Sequence, residues 1–270
     1  MGDIKMKDKY LEEVRDYYEK YAGTIKDFFG DTYQAYLMQD IFGLSDQTAT
    51  NLFLASRAGI KPGDRVLDAG CGAGGPCVDI AKNIDNLTID AITISSVQAG
   101  LAEKLVKKNG IESHIRIHVG DFHDLPFDEA TFDVVYFFES DAYSDNPKKL
   151  HAEVFRVLKP GGILYIKGVF KEERTLSEQE KIELNKKCRM FAWNITTLNE
   201  AERVISEAGF ADTETCRLDF LSARSFAESR IKASITVING VQALTPFGER
   251  HSGFFKLGVW YPGEIRARKP

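Results

Sequence analysis

The chain has 270 residues, 35 Lys+Arg against 40 Asp+Glu, and a formal charge of −5. With 43% hydrophobic and 28% charged residues it has the make-up of a folded globular protein, which excludes a disordered chain, a collagen-like repeat and a disulfide-dense miniprotein. The acidic balance argues against a broad nucleic-acid surface, because neutralising phosphates takes an excess of Lys and Arg on one face. Tyr10, Leu11, Val14, Tyr17, Tyr18 and Tyr21 recur at the spacing of an amphipathic helix over residues 10–22. Gly30 breaks it, residues 31–42 read as short helical turns, and Ser45 is the expected N-cap of a helix stopped by Gly59.

From residue 61 strands and helices alternate. Residues 65–68 are a short strand feeding a glycine-rich loop at 69–75, and a helix follows over 76–84. The second strand spans 87–93. Ser95 and Gln98 then form a capping box for a helix that stops at Gly110. Strands three and four cover 114–119 and 132–138, a helix covers 147–158, and a turn at 159–162 leads to strand five at 163–168. Beyond it lie a charged segment over 171–187, a helix at 198–208, a strand near 213–220, a long helix over 225–241 and a last strand at 254–261.

Strands separated by helices of this length predict a Rossmann-like α/β fold with a mostly parallel seven-stranded sheet and helices on both faces. A helical cap over 1–59 precedes it, and a lid insertion falls at about 171–197 and 221–250. Cys71, Cys77, Cys188 and Cys216 lack metal-ligand spacing and read as reduced, mostly buried thiols. The charged N-terminus lacks the apolar core of a secretory leader, and no apolar run nears the roughly 20 residues of a membrane span. The expectation is a cytoplasmic protein without a membrane span, compatible with a homodimer.

The strongest local signal is Asp68-Ala69-Gly70-Cys71-Gly72-Ala73-Gly74-Gly75, where a strand ends in an acid and glycines precede a helix. Glycines there let the backbone adopt positive φ and approach a ligand closely. With Gly120-Asp121-Phe122, Leu125-Pro126-Phe127, Phe132-Asp133-Val134-Val135 and Val157-Leu158-Lys159-Pro160-Gly161-Gly162, residues 60–170 resemble the class I S-adenosylmethionine-dependent methyltransferases. The resemblance implies S-adenosyl-L-methionine as cofactor. It places Gly70 and Gly72 against the methionine part with Asp68 orienting it, and Asp121 and Phe122 at the adenine, with Cys71, Gly74 and Phe138 as further cofactor-binding candidates. Where many members hold the ribose with an acid, this chain has Thr93-Ile94-Ser95, and Gln98 is the candidate in its place. The run from Ile92 to Gln98 resembles the sterol, tocopherol, geranyl-diphosphate and cyclopropane-type enzymes.

Strand four ends in Phe137-Phe138-Glu139, at the sheet edge where open α/β folds bind ligands. A carboxylate drawn out of water between aromatic side chains is a better proton acceptor, so Glu139 is the catalytic candidate, and its position resembles that of the Glu in the carbon-methylating enzymes. Tyr18, Tyr21, Phe29, Tyr33, Phe191 and Trp193 are the candidate acceptor-pocket residues. Their π faces suit a cation formed on an alkene. No His spacing suggests a metal. The expected activity is methylation of a small, largely apolar metabolite of secondary metabolism, with carbon methylation of an isoprenoid-like or aromatic acceptor ahead of N- or O-methylation. A cofactor-binding protein or cyclase without methyl transfer is the rival of another class.

Overall fold

Helix α1 runs over Gly2–Phe29, well past both ends of the predicted 10–22. The computed structural model describes residues 2–32, 46–218, 235–238, 241–244 and 258–270, so the predicted turns at 31–42, from residue 33 on, and the Ser45 cap lie outside it. Helix α2, Gln47–Ala58, is capped by Asp46, whose side chain accepts from the Ala49 N–H, and it closes on Gly59 in the left-handed region. The βα alternation follows as expected: β1 Arg65–Ala69, α3 Gly75–Asn83, β2 Thr88–Thr93, α4 Ser96–Asn109, β3 Ile115–Val119, β4 Phe132–Phe138, α5 Pro147–Val157 and β5 Leu158–Lys171. Ser95 caps α4, but Gln98 does not return the capping-box bond: its Oε1 accepts from Thr93 Oγ1 at 2.7 Å.

The expected turn at 159–162 is absorbed into β5, with the register against β4 shifting between Phe132 and Val134. The charged segment carries α6, Glu178–Phe191, closed at its N-terminus by a Ser177–Glu180 capping box. Helix α7, Leu198–Glu207, and β6, Ala211–Arg217, come next. Where a helix over 225–241 was expected, the described residues contain strands instead, β7 Ile235–Ile238 paired with β8 Val241–Leu244. The last strand, β9, covers Trp260–Arg268, later than the predicted 254–261.

Strand order in the large sheet is β3-β2-β1-β4-β5-β9-β6, parallel through β5 and antiparallel at β9. β9 continues straight through Pro262-Gly263, where a strand was not expected. Gly263 passes beneath Phe170, so close that a Cβ there would come within 2.9 Å of the ring.

Two cores sandwich the sheet, and the period of two along each strand sorts side chains between them. Val66, Val134, Tyr136 and Phe138 join Leu54, Ala55, Val78 and Leu105 from α2, α3 and α4. Leu67, Val135 and Phe137 join Leu150, Val154, Ala201 and Ile205 from α5 and α7. A third cluster packs α6 through Leu184 and Phe191 against Trp193, Val169 and Trp260. Among the described residues no helix is long and apolar enough to cross a membrane. The strand order reverses between β1 and β4, and the crevice beyond their carboxyl ends is where such a sheet receives a ligand.

Candidate active site

Beyond β1 the chain turns at Gly70, with φ of +101°, and a Cβ there would stand 2.3 Å from the Cβ of Ser140. The Ser140 hydroxyl donates to the Ala69 carbonyl at 2.5 Å, so the loops after β1 and β4 lie directly against each other. Gly72, with φ of +53°, faces the crevice, and its missing Cβ would meet only Gln98 Nε2 at 3.6 Å. Gly74 does different work. It is the left-handed N-cap of α3 and presses on Ala102 of α4, away from the crevice wall.

One end of the crevice is a buried carboxylate. Asp68 accepts from the Tyr136 hydroxyl at 2.8 Å, and burial pushes its pKa up to about 7 despite that bond. Burial also raises the Cys71 thiol well above its ordinary range, leaving it neutral. The opposite end holds Asp121, whose Oδ1 accepts from the backbone N–H of His123 at 2.9 Å and stands 2.7 Å from His123 Nδ1. Burial alone would raise Asp121, but the His123 hydrogen bonds outweigh it and hold the carboxyl below its ordinary value. His123 is fixed in turn through Nε2, 2.7 Å from the Ser144 hydroxyl.

On the side of β1 away from β2 and β3 lies the mouth of β4. Phe138 stacks on Tyr136 with centroids 4.3 Å apart, and Glu139 takes a φ of +63°, a conformation that side chains bearing a Cβ rarely adopt and that concentrates at functional sites. Its carboxylate is not the apolar-flanked group the sequence suggested: Lys167 of β5, fully buried, donates to it. Helix α1 roofs the crevice with Leu11, Val14, Tyr18, Ala22 and Ile25, one stripe at helical spacing. Glu19 on α1 accepts from the Ser96 N–H at 2.7 Å, tying the roof to the start of α4, and the Tyr10 hydroxyl donates to the Ala192 carbonyl at 2.6 Å.

Of the residues read from the sequence, Asp68, Gly70, Cys71, Gly72, Thr93, Ile94, Gln98, Asp121, Phe122, Phe138, Glu139, Tyr18 and Trp193 line this one crevice. Gly74 does not, for the packing reason given. Tyr21 does not either: its ring stands against Tyr17 at 5.2 Å with Lys20 Nζ 5.1 Å from its centroid. Phe191 packs behind Trp193, ring centroids 5.4 Å apart, and supports the wall from outside. The Phe29 side chain and Tyr33 lie outside the described residues. Cys216 is exposed, against the expectation of mostly buried thiols. Sequence reasoning missed Tyr143, which meets Tyr18 edge to face at 5.4 Å, because a short 3-10 turn at Asp141–Tyr143 leaves no periodic signature. It also missed Lys167, whose signal was a charge inside the apolar run of strand five. No group of His, Cys, Asp and Glu among the described residues is arranged to hold a metal ion.

Residues 67–166 match the family model of a methyltransferase domain. The chain is 32% identical over 157 residues to 24-methylenesterol C-methyltransferase 3 of Arabidopsis thaliana, covering 56% of this chain and 44% of that protein. It thus spans less than half the length of that relative. Among solved structures, geranyl diphosphate C-methyltransferase of Streptomyces coelicolor A3(2), in complex with Mg²⁺, geranyl diphosphate and S-adenosyl-L-homocysteine, superposes with a TM-score of 0.78 at 22% identity, over 97% of this chain and 98% of that one. The [4+2]-cyclase SpnF superposes with a TM-score of 0.74 at 22% identity, over 95% and 96%. These two likenesses establish the fold.

Proposed function

We propose that the chain is a methyltransferase on the class I fold and that it methylates carbon in a small, largely apolar acceptor, using S-adenosyl-L-methionine; the matched methyltransferase domain over residues 67–166 supports the reading. The observation that carries the reading is Glu139, a carboxylate set in the pocket wall that Tyr18, Phe138, Tyr143 and Trp193 also line. An already nucleophilic N or O acceptor has less need of a base or of an aromatic wall. The relative named for methylating a sterol carbon agrees with this choice of acceptor atom.

The residues present suit the cofactor. Gly72 leaves a cradle that a side chain would fill, and Asp68 is a buried carboxylate short of a cation, which an amino group supplies. Asp121 and Phe122 offer an acceptor and a ring for the adenine, and Thr93 and Gln98 stand where the ribose hydroxyls fall on this reading. Bound there, S-adenosylmethionine supplies an electrophilic methyl: the acceptor's electron pair forms the new carbon–carbon bond, the broken S–CH₃ pair stays on sulfur, and the acceptor's surplus proton goes to Glu139. The chain's own share is to align the reactants, which holding two molecules in one geometry can make worth about 7–11 kcal/mol, and to exclude water beneath α1. The aromatic wall steadies positive charge on the acceptor. A cytoplasmic setting, a small-molecule rather than nucleic-acid acceptor and a homodimer belong to the same proposal, with 1–59 as the cap and 171–197 and 221–250 as the lid.

Because Asp68 is protonated below about pH 7 in the free protein and must ionise to meet a cationic amino group, cofactor binding should release a proton there. Affinity is therefore expected to rise with pH, by up to about tenfold per unit, until about pH 7 and to level above it. Calorimetry in buffers of differing ionisation enthalpy reads the released proton, and Asp68→Asn should abolish both slope and release. The activity itself is tested by incubating the protein with methyl-labelled cofactor and isoprenoid alkenes, sterols, phenols and amines. Label in carbon of an alkene or aromatic ring supports the proposal. Label only in N- or O-methyl products overturns the choice of atom, and no transfer from a bound cofactor overturns the enzyme reading.

A further inference from the structure

The carboxyl ends of β4 and β5 bury more charge than the scheme above uses. Lys167 has no exposed surface, and the Glu139 side chain keeps only 8%. The ammonium of Lys167 donates to Glu139 Oε1, while the Glu139 backbone N–H donates to the Lys167 carbonyl at 2.7 Å, so the residues are tied twice. As a stabilising device such a pair is poor, because desolvation of two ions offsets their attraction and apolar residues of similar volume serve as well or better. The pocket supplies the reason that stability does not. Glu139 lines it, and Lys167 touches it only through Glu139.

We propose that Lys167 is a positioning residue that holds the Glu139 carboxylate ionised and turned into the acceptor pocket, ready at each turnover to take the acceptor's proton. This rests on the reading of Glu139 as the base. In the step concerned, the C–H bond beside the newly methylated carbon breaks, its electron pair stays with the acceptor as a restored double bond, and the proton moves to a Glu139 oxygen. The ammonium offsets the desolvation of an anion there and aims it, without meeting the acceptor.

Asp141 and Tyr143 from the 3-10 turn act electrostatically on the pair, and Asp68 from β1 and Tyr18 and Lys26 from α1 are titratable groups that line the same pocket. Burial lowers the pKa of Lys167, and the charges of Glu139 and Asp141 oppose that. Asp141 Oδ1 is buried without a hydrogen-bond partner and stands against Gly168, where a Cβ would lie 2.9 Å away. Burial raises Asp141 to about 7, so around neutral pH this second carboxyl beside the ammonium is half protonated. The cluster's charge is balanced by Lys167 alone among the groups on β4, β5 and the 3-10 turn named here.

The test is the pH profile of kcat/KM with an acceptor found active. In Lys167→Met the acidic limb should move up by about 1–3 pH units, the shift that an adjacent opposite charge sets on a carboxyl. At a fixed pH on the acidic limb the rate should fall about 10- to 1,000-fold accordingly and return as the pH is raised, whereas Lys167→Arg keeps the limb in place. An unmoved limb, or a loss equal at every pH, overturns the proposal. A second readout needs no turnover and no folded variant at Lys167: the infrared carboxyl band of ¹³C-glutamate protein, taken as the difference from Glu139→Gln. Wild type should show Glu139 ionised at neutral pH, and a protonated band there overturns the proposal. If no acceptor is methylated, the proposed function fails while this band still decides whether the carboxylate beside Lys167 is held ionised.

Discussion

Glu139→Gln is expected to slow single-turnover methyl transfer about 100- to 10,000-fold, the range for loss of a general base, which is about 3–5 kcal/mol of barrier. Glutamine keeps the shape and one carbonyl acceptor for Lys167 but takes neither a proton nor a share of positive charge. Cofactor affinity should stay unchanged, because the glycine loop, Asp68 and Asp121 are untouched. Stability should fall, since the variant leaves the Lys167 ammonium buried beside a neutral partner, and breaking such a pair typically costs about 3–5 kcal/mol. Glu139→Gln combined with Lys167→Met removes that stranded charge, so melting temperature should recover and the rate should not. Wild-type transfer in Glu139→Gln would remove Glu139 from the chemistry and leave positioning as the whole mechanism.

Gly72→Val should reduce cofactor affinity at least 100-fold, about 3 kcal/mol, with the far-ultraviolet spectrum retained. A Cβ at this position meets only the end of Gln98 at an ordinary 3.6 Å, so no packed atom has to move. The branches of valine, however, project into the space the ligand backbone needs, and a β-branched residue at φ of +53° adds about 1–2 kcal/mol of local strain. Gly70→Ala is the contrasting case. Its methyl would arrive 2.3 Å from Ser140 and force the β1 and β4 loops apart, so stability and binding should be lost together. Calorimetric titration beside thermal melts separates the two behaviours, and full affinity in Gly72→Val would overturn the assignment of the loop.

Local patterns made the sheet half legible. The apolar runs at 65–69, 88–93, 115–119 and 132–138, punctuated by Gly59, Gly110 and the capping residue Ser95, each carry their instructions within a few residues, and the structure follows them. In the C-terminal third the helix at 198–208 and the strand that follows it were legible in the same way, but the last strand carries no such instructions. β9 contains Pro262 and Gly263, a pair disfavoured in an isolated strand, and persists because it is hydrogen-bonded between β5 and β6, with Gly263 making room for Phe170. A segment so placed takes its conformation from partners distant in sequence.

The site divides along the same line. The glycine loop, Asp68 and Asp121 stand at strand ends, where chain direction alone sends them to the carboxyl edge of a parallel sheet, and so their meeting was determined by the sequence pattern. Gln98 reads as a capping-box partner from its spacing to Ser95 and as a ribose holder from the family resemblance, and only the fold chose Thr93 as its side-chain partner. Tyr21 and Tyr18 share one helix and one residue type, yet rotation of α1 on the sheet turns Tyr18 into the crevice and Tyr21 away from it. Glu139 and Lys167 are 28 residues apart, and nothing in either neighbourhood announces the other. Only the register of β5 against β4, which sets Phe138 opposite Lys167, brings the ammonium to the carboxylate. The sequence alone thus determined the fold class and the glycine-loop end of the crevice proposed for the cofactor, through short-range periodicity and turn chemistry. Tertiary structure decided the charge environment of the acceptor end, because electrostatics between buried groups depends on distances that only strand pairing sets.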